Sequence, residues 1–136
     1  MANFFIGKGL MLAAVAVVLS VAVISCQRVP AIGAGYQRIS SDEAYAIMVN
    51  DAGYIILDVR SEAEYNEGHV PGAIVIPDGE IRSRAEAELP DKDQLILVYC
   101  RSGRRSKAAA EALIEMGYTN VKDFGGIIDW EYEIEK

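Results

Sequence analysis

The stretch Leu95-Ile96-Leu97-Val98-Tyr99-Cys100-Arg101-Ser102-Gly103-Arg104-Arg105-Ser106 decides the fold. Its first five residues are continuously apolar, as a strand buried on both faces of a sheet requires. The run stops at Cys100 and Gly103 breaks the chain. Ala109, Ala112, Leu113 and Met116 then recur at helical spacing until Gly117. A strand that enters a helix through so short a loop turns several backbone N–H groups toward one point, where the helix N-terminus adds partial positive charge. Cys100 stands at that point, with Arg101, Arg104 and Arg105 around it. Cations at a helix start oppose the dipole, so the loop is suited to something negative. A thiolate there is favoured over the thiol, and its pKa is expected below the free value of about 8.5. Gly103 is expected to let the backbone curl without a Cβ clash.

Working outward, Tyr54-Ile55-Ile56-Leu57-Asp58-Val59 is a second apolar run, ending in an acid, and Ala73-Ile74-Val75-Ile76 a third buried strand closed by Pro77. Ser40-Ser41-Asp42-Glu43 forms a capping box, opening a helix with Ala44, Ile47 and Met48 at helical spacing. A short helix is expected near Ser61–Asn66, and between Ile81 and Leu89 a polar helix at most. Val121 belongs to a short last strand, and Gly125-Gly126 leads to a terminal helix with Ile128 and Trp130. Strands alternating with helices predict an α/β fold: a central, mostly parallel sheet with helices on both faces. Such sheets bind ligands at the carboxyl ends of their strands, where Cys100 is placed.

Composition excludes several function classes. The 136 residues carry 13 basic and 20 acidic side chains, a net charge of −7, with 51% apolar residues. Acidic charge gives no general attraction to nucleic acid, and the apolar fraction excludes disorder for most of the chain. Two cysteines make no disulfide scaffold, and with a single histidine no metal site is expected. His69 is expected to be a hydrogen-bonded structural residue, not a base for Cys100.

Residues 1–25 differ from the rest. They hold one charge, Lys8, and from Leu10 to Ile24 only Ser20 is polar. The run falls short of the roughly 20 residues of a spanning helix and suits a secretory signal or an uncleaved membrane anchor. Val23-Ile24-Ser25-Cys26 resembles the lipobox of bacterial lipoproteins, which implies lipid attachment at Cys26. The expectation is a bacterial envelope protein, membrane-attached through its N-terminal segment, with the domain extracytoplasmic. Pro30, Gly33 and Gly35 interrupt residues 26–37, which are expected to be a tether, leaving 38–136 as the domain.

Three blocks of that domain together resemble the rhodanese family of sulfurtransferases. Leu57-Asp58-Val59-Arg60 with Glu64-Tyr65 and Gly68-His69-Val70-Pro71-Gly72-Ala73 is similar to its first signature. Cys100 to Ser106 is similar to its active-site loop, and Gly125-Gly126 with Trp130 to its C-terminal signature, although Asp129 stands where a small residue is commoner. The resemblance implies a single rhodanese-like domain that moves a sulfane sulfur through a persulfide on Cys100. It implies that Arg101, Ser102, Gly103, Arg104 and Arg105 surround that sulfur, with Arg105 also bracing the loop. Asp58, Arg60 and Ser106 take supporting positions: Asp58 could accept backbone N–H groups, and Arg60 could pair with Glu64 or Glu67. The implied partners are a small sulfur-containing anion such as thiosulfate and a thiol or cyanide acceptor, with no cofactor.

Other readings of the residues stay open. A lone cysteine at a strand end is most often a small buried hydrophobe, a reading the glycine and arginines weigh against. Cys100 could serve a non-enzymatic sulfur carrier or thiol sensor. It could also serve a cysteine-dependent phosphatase, although related phosphatases place five residues between cysteine and arginine and here there are four. No aspartate is obviously placed to protonate a phosphatase leaving group, with Asp78 and Asp123 left open for that role.

Overall fold

The computed structural model describes residues 36–136; the apolar leader, Cys26 and most of the tether lie outside them. Five strands form one parallel sheet in the order β1-β5-β4-β2-β3: β1 Gln37–Arg38, β2 Tyr54–Asp58, β3 Ile74–Val75, β4 Leu95–Cys100 and β5 Val121–Gly126. Helix α1 (Ser41–Asn50) packs on one face and α4 (Arg104–Glu115) with α3 (Ile81–Glu88) on the other, while α2 (Glu62–Glu67) leads from β2 toward β3. The expected α/β architecture is present.

The two apolar faces of the sheet build two cores. Leu57, Val98 and Cys100 point toward Ala109, Ala110 and Leu113 of α4, and Ile56, Leu97 and Tyr99 toward Ala44 of α1. That alternation is why β4 is apolar at every position and β2 at every position before Asp58. The Ser40–Glu43 capping box opens α1, and a second one, between Ser61 and Glu64, opens α2.

Several expectations are corrected. Only Ile74 and Val75 pair as the strand expected over Ala73–Ile76, and Ile74 is exposed on this sheet edge. The Ala73 carbonyl is taken by the Tyr65 hydroxyl instead, at 2.7 Å. The polar helix expected between Ile81 and Leu89, by contrast, is present as α3, and Ile81, Ala85 and Leu89 are buried on one side of it. The last strand is six residues long, not short. No terminal helix follows: Ile127–Asp129 is a single 3₁₀ turn. The Trp130 ring then lies 5.4 Å from that of Phe124, and Glu135 pairs with His69, which draws the tail along the domain in extended form. The tether ends sooner than expected, since Gln37 pairs with Lys122 and the Tyr36 hydroxyl donates to Asp123 at 2.9 Å.

Candidate active site

Cys100 is the last residue of β4, 1% exposed, and Gly103 is the residue that lets α4 begin just beyond it. Gly103 has φ +94°, a left-handed conformation in which a side chain is strained. In that conformation its N–H points back and donates to Cys100 Sγ at 3.0 Å. Ser106, fully buried in the first turn of α4, holds its hydroxyl 3.6 Å from Sγ and 3.4 Å from the Gly125 carbonyl. Burial pushes the Cys100 thiol up, but the Ser106 hydroxyl and the N–H groups of Ser106, Gly103 and Ser102 outweigh it and hold the pKa below the ordinary thiol value. The sequence-based expectation of a stabilised thiolate is met by hydrogen bonds.

The arginines of the loop divide into two kinds. Arg105 forms a two-pronged ion pair with Glu64, with both N···O distances 2.8 Å, and so ties the loop to α2. Glu64 also accepts the Ser61 N–H as the α2 cap, and the Arg105 guanidinium holds its carboxyl down at about 2. Arg101 and Arg104 are exposed and have no ion-pair partner among the described residues, although Arg38, Arg60, Arg82, Arg84 and Arg105 all have one. The uncompensated arginine charge of the described domain is therefore concentrated in the cysteine loop. The loop is held from below as well, since the Arg101 carbonyl accepts the Ile128 N–H at 3.2 Å.

Asp58 and Arg60 lie side by side in the interior and away from Sγ. Arg60 pairs with Asp58 at 2.6 Å and donates to the Gly68 carbonyl at 2.7 Å; neither Glu64 nor Glu67 is its partner. The Arg60 N–H is the one backbone donor to Asp58, and the Tyr99 hydroxyl supplies a further bond at 2.6 Å. Removing one member of such a buried pair typically costs about 3–5 kcal/mol. These residues fix β2 against β4 and the segment that follows α2. His69 stacks on Tyr65 and bonds the Tyr65 carbonyl and Glu135, the structural role expected for it. Asp123 is buried and committed to Arg38, Tyr36 and the Gly125 N–H. Arg38, which no motif marked, reaches the loop from β1; its signal, a cation on an edge strand far away in sequence, is not visible before folding.

A parallel α/β sheet with a buried cysteine cradled by N–H groups at a strand's carboxyl end is a site suited to a thiolate. The chain belongs to the rhodanese-like domain family, whose pattern matches residues 40–133. It is 47% identical over 73 residues to the thiosulfate sulfurtransferase PspE of Escherichia coli, covering 54% of this chain and 70% of that one. It is 37% identical over 100 residues, or 73% of its length, to the YrkF protein of Bacillus subtilis, but spans only 48% of that protein. Among solved structures, a rhodanese with anions from E. coli superposes with a TM-score of 0.58 at 42% identity, covering 61% of this chain and 98% of the other.

Proposed function

We propose that this chain is a rhodanese-type sulfurtransferase that carries a sulfane sulfur on Cys100. The observation that carries the proposal is the buried thiol with a lowered pKa, held by N–H donors at the end of β4. The Cys100 thiolate attacks the outer sulfur of a donor such as thiosulfate. A new S–S bond forms at Sγ, the donor's own S–S bond breaks, and sulfite leaves with the electron pair. An acceptor thiolate or cyanide then attacks the outer sulfur, and Cys100 departs as thiolate. The N–H groups of Ser102, Gly103 and Ser106 stabilise the anionic sulfur in every state. Arg101 and Arg104, without an ion-pair partner among the described residues, supply the charge that draws an anionic donor to an otherwise acidic protein.

The reading includes a location. Lipid on Cys26 would hold the domain at the bacterial envelope, facing the extracytoplasmic side, because one lipoprotein cysteine supplies more than a single acyl chain.

The test is intact mass spectrometry of the full chain. Thiosulfate should add one sulfur atom at Cys100, cyanide should remove it as thiocyanate, and the cycle should turn over repeatedly. Cys100→Ser keeps size and polarity but lacks the nucleophile, so it should neither load nor turn over. Thiocyanate production by that variant at the original rate would overturn the assignment.

A further inference from the structure

Arg38 lies in β1, two residues from the start of the described chain, yet its guanidinium ends against the cysteine loop. Nη1 donates to Asp123 Oδ2 at 2.9 Å, while Asp123 Oδ1 accepts the Gly125 N–H at 2.9 Å. The rest of the guanidinium fills a slot made by two glycines. A Cβ on Gly125 would lie 2.5 Å from Arg38 Nη2, and a Cβ on Gly103 would lie 2.9 Å from the same atom. Both glycines have φ +94°, so any side chain there would be strained as well as obstructed.

Of the groups around Cys100, one belongs to the first glycine and another is held by the second. The Gly103 N–H is the donor 3.0 Å from Sγ. The Gly125 carbonyl accepts from the Ser106 hydroxyl, which in turn lies 3.6 Å from Sγ. One planar cation therefore lies against the backbone of both glycines, and its own position is fixed by a fully buried carboxylate.

We infer that Arg38 is a positioning residue for the sulfur-bearing loop, holding Gly103, whose N–H meets Cys100, in register with Gly125, whose carbonyl holds the Ser106 hydroxyl beside it. A guanidinium suits this place because it is flat enough to lie between two Cα atoms and forked enough to keep a carboxylate at its edge. The Arg38 side chain is 49% exposed, so its loss removes little of the core. The inference rests on Cys100 being the reactive group, but its readout does not require sulfur transfer.

The experiment compares wild type, Arg38→Ala and Arg38→Lys in the full chain, with melting temperature recorded alongside. The rate of iodoacetamide alkylation of the Cys100 peptide is followed by mass spectrometry from pH 5 to 10. Arg38→Ala should move the midpoint upward by roughly half a unit or more, because hydrogen bonds to the thiolate lengthen. Single-turnover discharge of a loaded Cys100 should slow about tenfold or more. Arg38→Lys keeps the charge but cannot lie flat in the slot, so its profile should stay closer to Ala than to wild type. An unchanged midpoint in Arg38→Ala, with only a lower melting temperature, would reduce the residue to a fold contact and overturn the inference. Full recovery in Arg38→Lys would overturn it too, by showing that charge alone suffices. If wild type fails to take sulfur from thiosulfate, the proposed function falls, while the alkylation profiles still decide the role of Arg38.

Discussion

Replacing Glu64 by Gln removes one charge from the brace between α2 and the cysteine loop and leaves the shape intact. The amide oxygen can still cap α2 through the Ser61 N–H, so the change isolates the ion pair with Arg105. The fall of the Glu64 carboxyl from an ordinary 4.5 to about 2 corresponds to a ceiling of about 3 kcal/mol, at about 1.4 kcal/mol per tenfold. The pair is partly open to solvent, with side chains 28% and 30% exposed, which screens it to about 1–2 kcal/mol. A loss of that size lowers the melting temperature of a domain of this length by about 5–10 °C. The sign follows from the direction of the shift. A carboxyl depressed in the folded state stabilises fully above its unfolded value near 4.5, and that stability is lost as the pH falls toward 2. Wild type and Glu64→Gln should therefore differ fully at pH 7 and converge between about pH 5 and 2. Urea unfolding at each pH measures the difference. Curves that stay equally far apart down to pH 3, or that coincide at pH 7, would refute the reasoning.

Three further perturbations separate the roles of the site, and one substrate tests its chemistry. Arg101→Ala and Arg104→Ala should each raise KM for thiosulfate about threefold to tenfold and flatten its dependence on salt, with kcat changed less; a salt dependence that survives the double variant would remove these residues from donor capture. Tyr99→Phe leaves the Val70 N–H without its partner at 3.1 Å and should cost about 1–3 kcal/mol in chemical unfolding; because the hydroxyl faces Asp58, the Cys100 alkylation profile should stay put. Cys26→Ala should abolish labelling by radioactive fatty acid and retain sulfur transfer; a wild-type mature chain that still begins at Met1 with an unmodified Cys26 would favour an uncleaved anchor. Aryl phosphates should be hydrolysed negligibly by a preparation active in sulfur transfer, and Cys100-dependent phosphate release faster than sulfur transfer would reverse the assignment.

How much of this was legible in the sequence depends on the range of the interaction. The strand β4, the turn at Gly103 and the start of α4 follow from adjacent residues, and so does the position of Cys100. The α1 capping box is likewise local. Partners far apart in sequence were not legible. Arg105 meets Glu64 across 41 residues and Arg38 meets Asp123 across 85, and nothing in periodicity marks either pair. Charge alone points Arg60 to the nearby glutamates, whereas its donors face Asp58, two residues back at the buried end of β2. The expected terminal helix failed for a related reason. Ile128 and Trp130 stand only two residues apart, which gives no shared helical face, and Trp130 packs against Phe124 and Tyr132 while the Glu135 backbone pairs with His69. Tertiary contacts outweigh weak local propensity there.

The structure supplies a reason for sulfur over phosphate that loop length alone gives less directly. A phosphoryl group presents several anionic oxygens and is held by an arginine whose fork faces two of them. In this loop the fork of Arg105 already faces the two oxygens of Glu64 at 2.8 Å each. Arg104 cannot take its place, because it precedes Arg105 on an arc that is already one residue shorter than that of the related phosphatases. A leaving aryl oxide also needs an acid, and one of the two candidates, Asp123, is buried beneath Arg38, with Tyr36 and the Gly125 N–H as its other partners. A persulfide asks for less. Its terminal sulfur is a single diffuse anion one bond beyond Sγ, and convergent N–H donors are enough to stabilise it. Glu64→Gln would loosen Arg105 without lengthening the arc, so it should weaken the brace and still confer no phosphate hydrolysis.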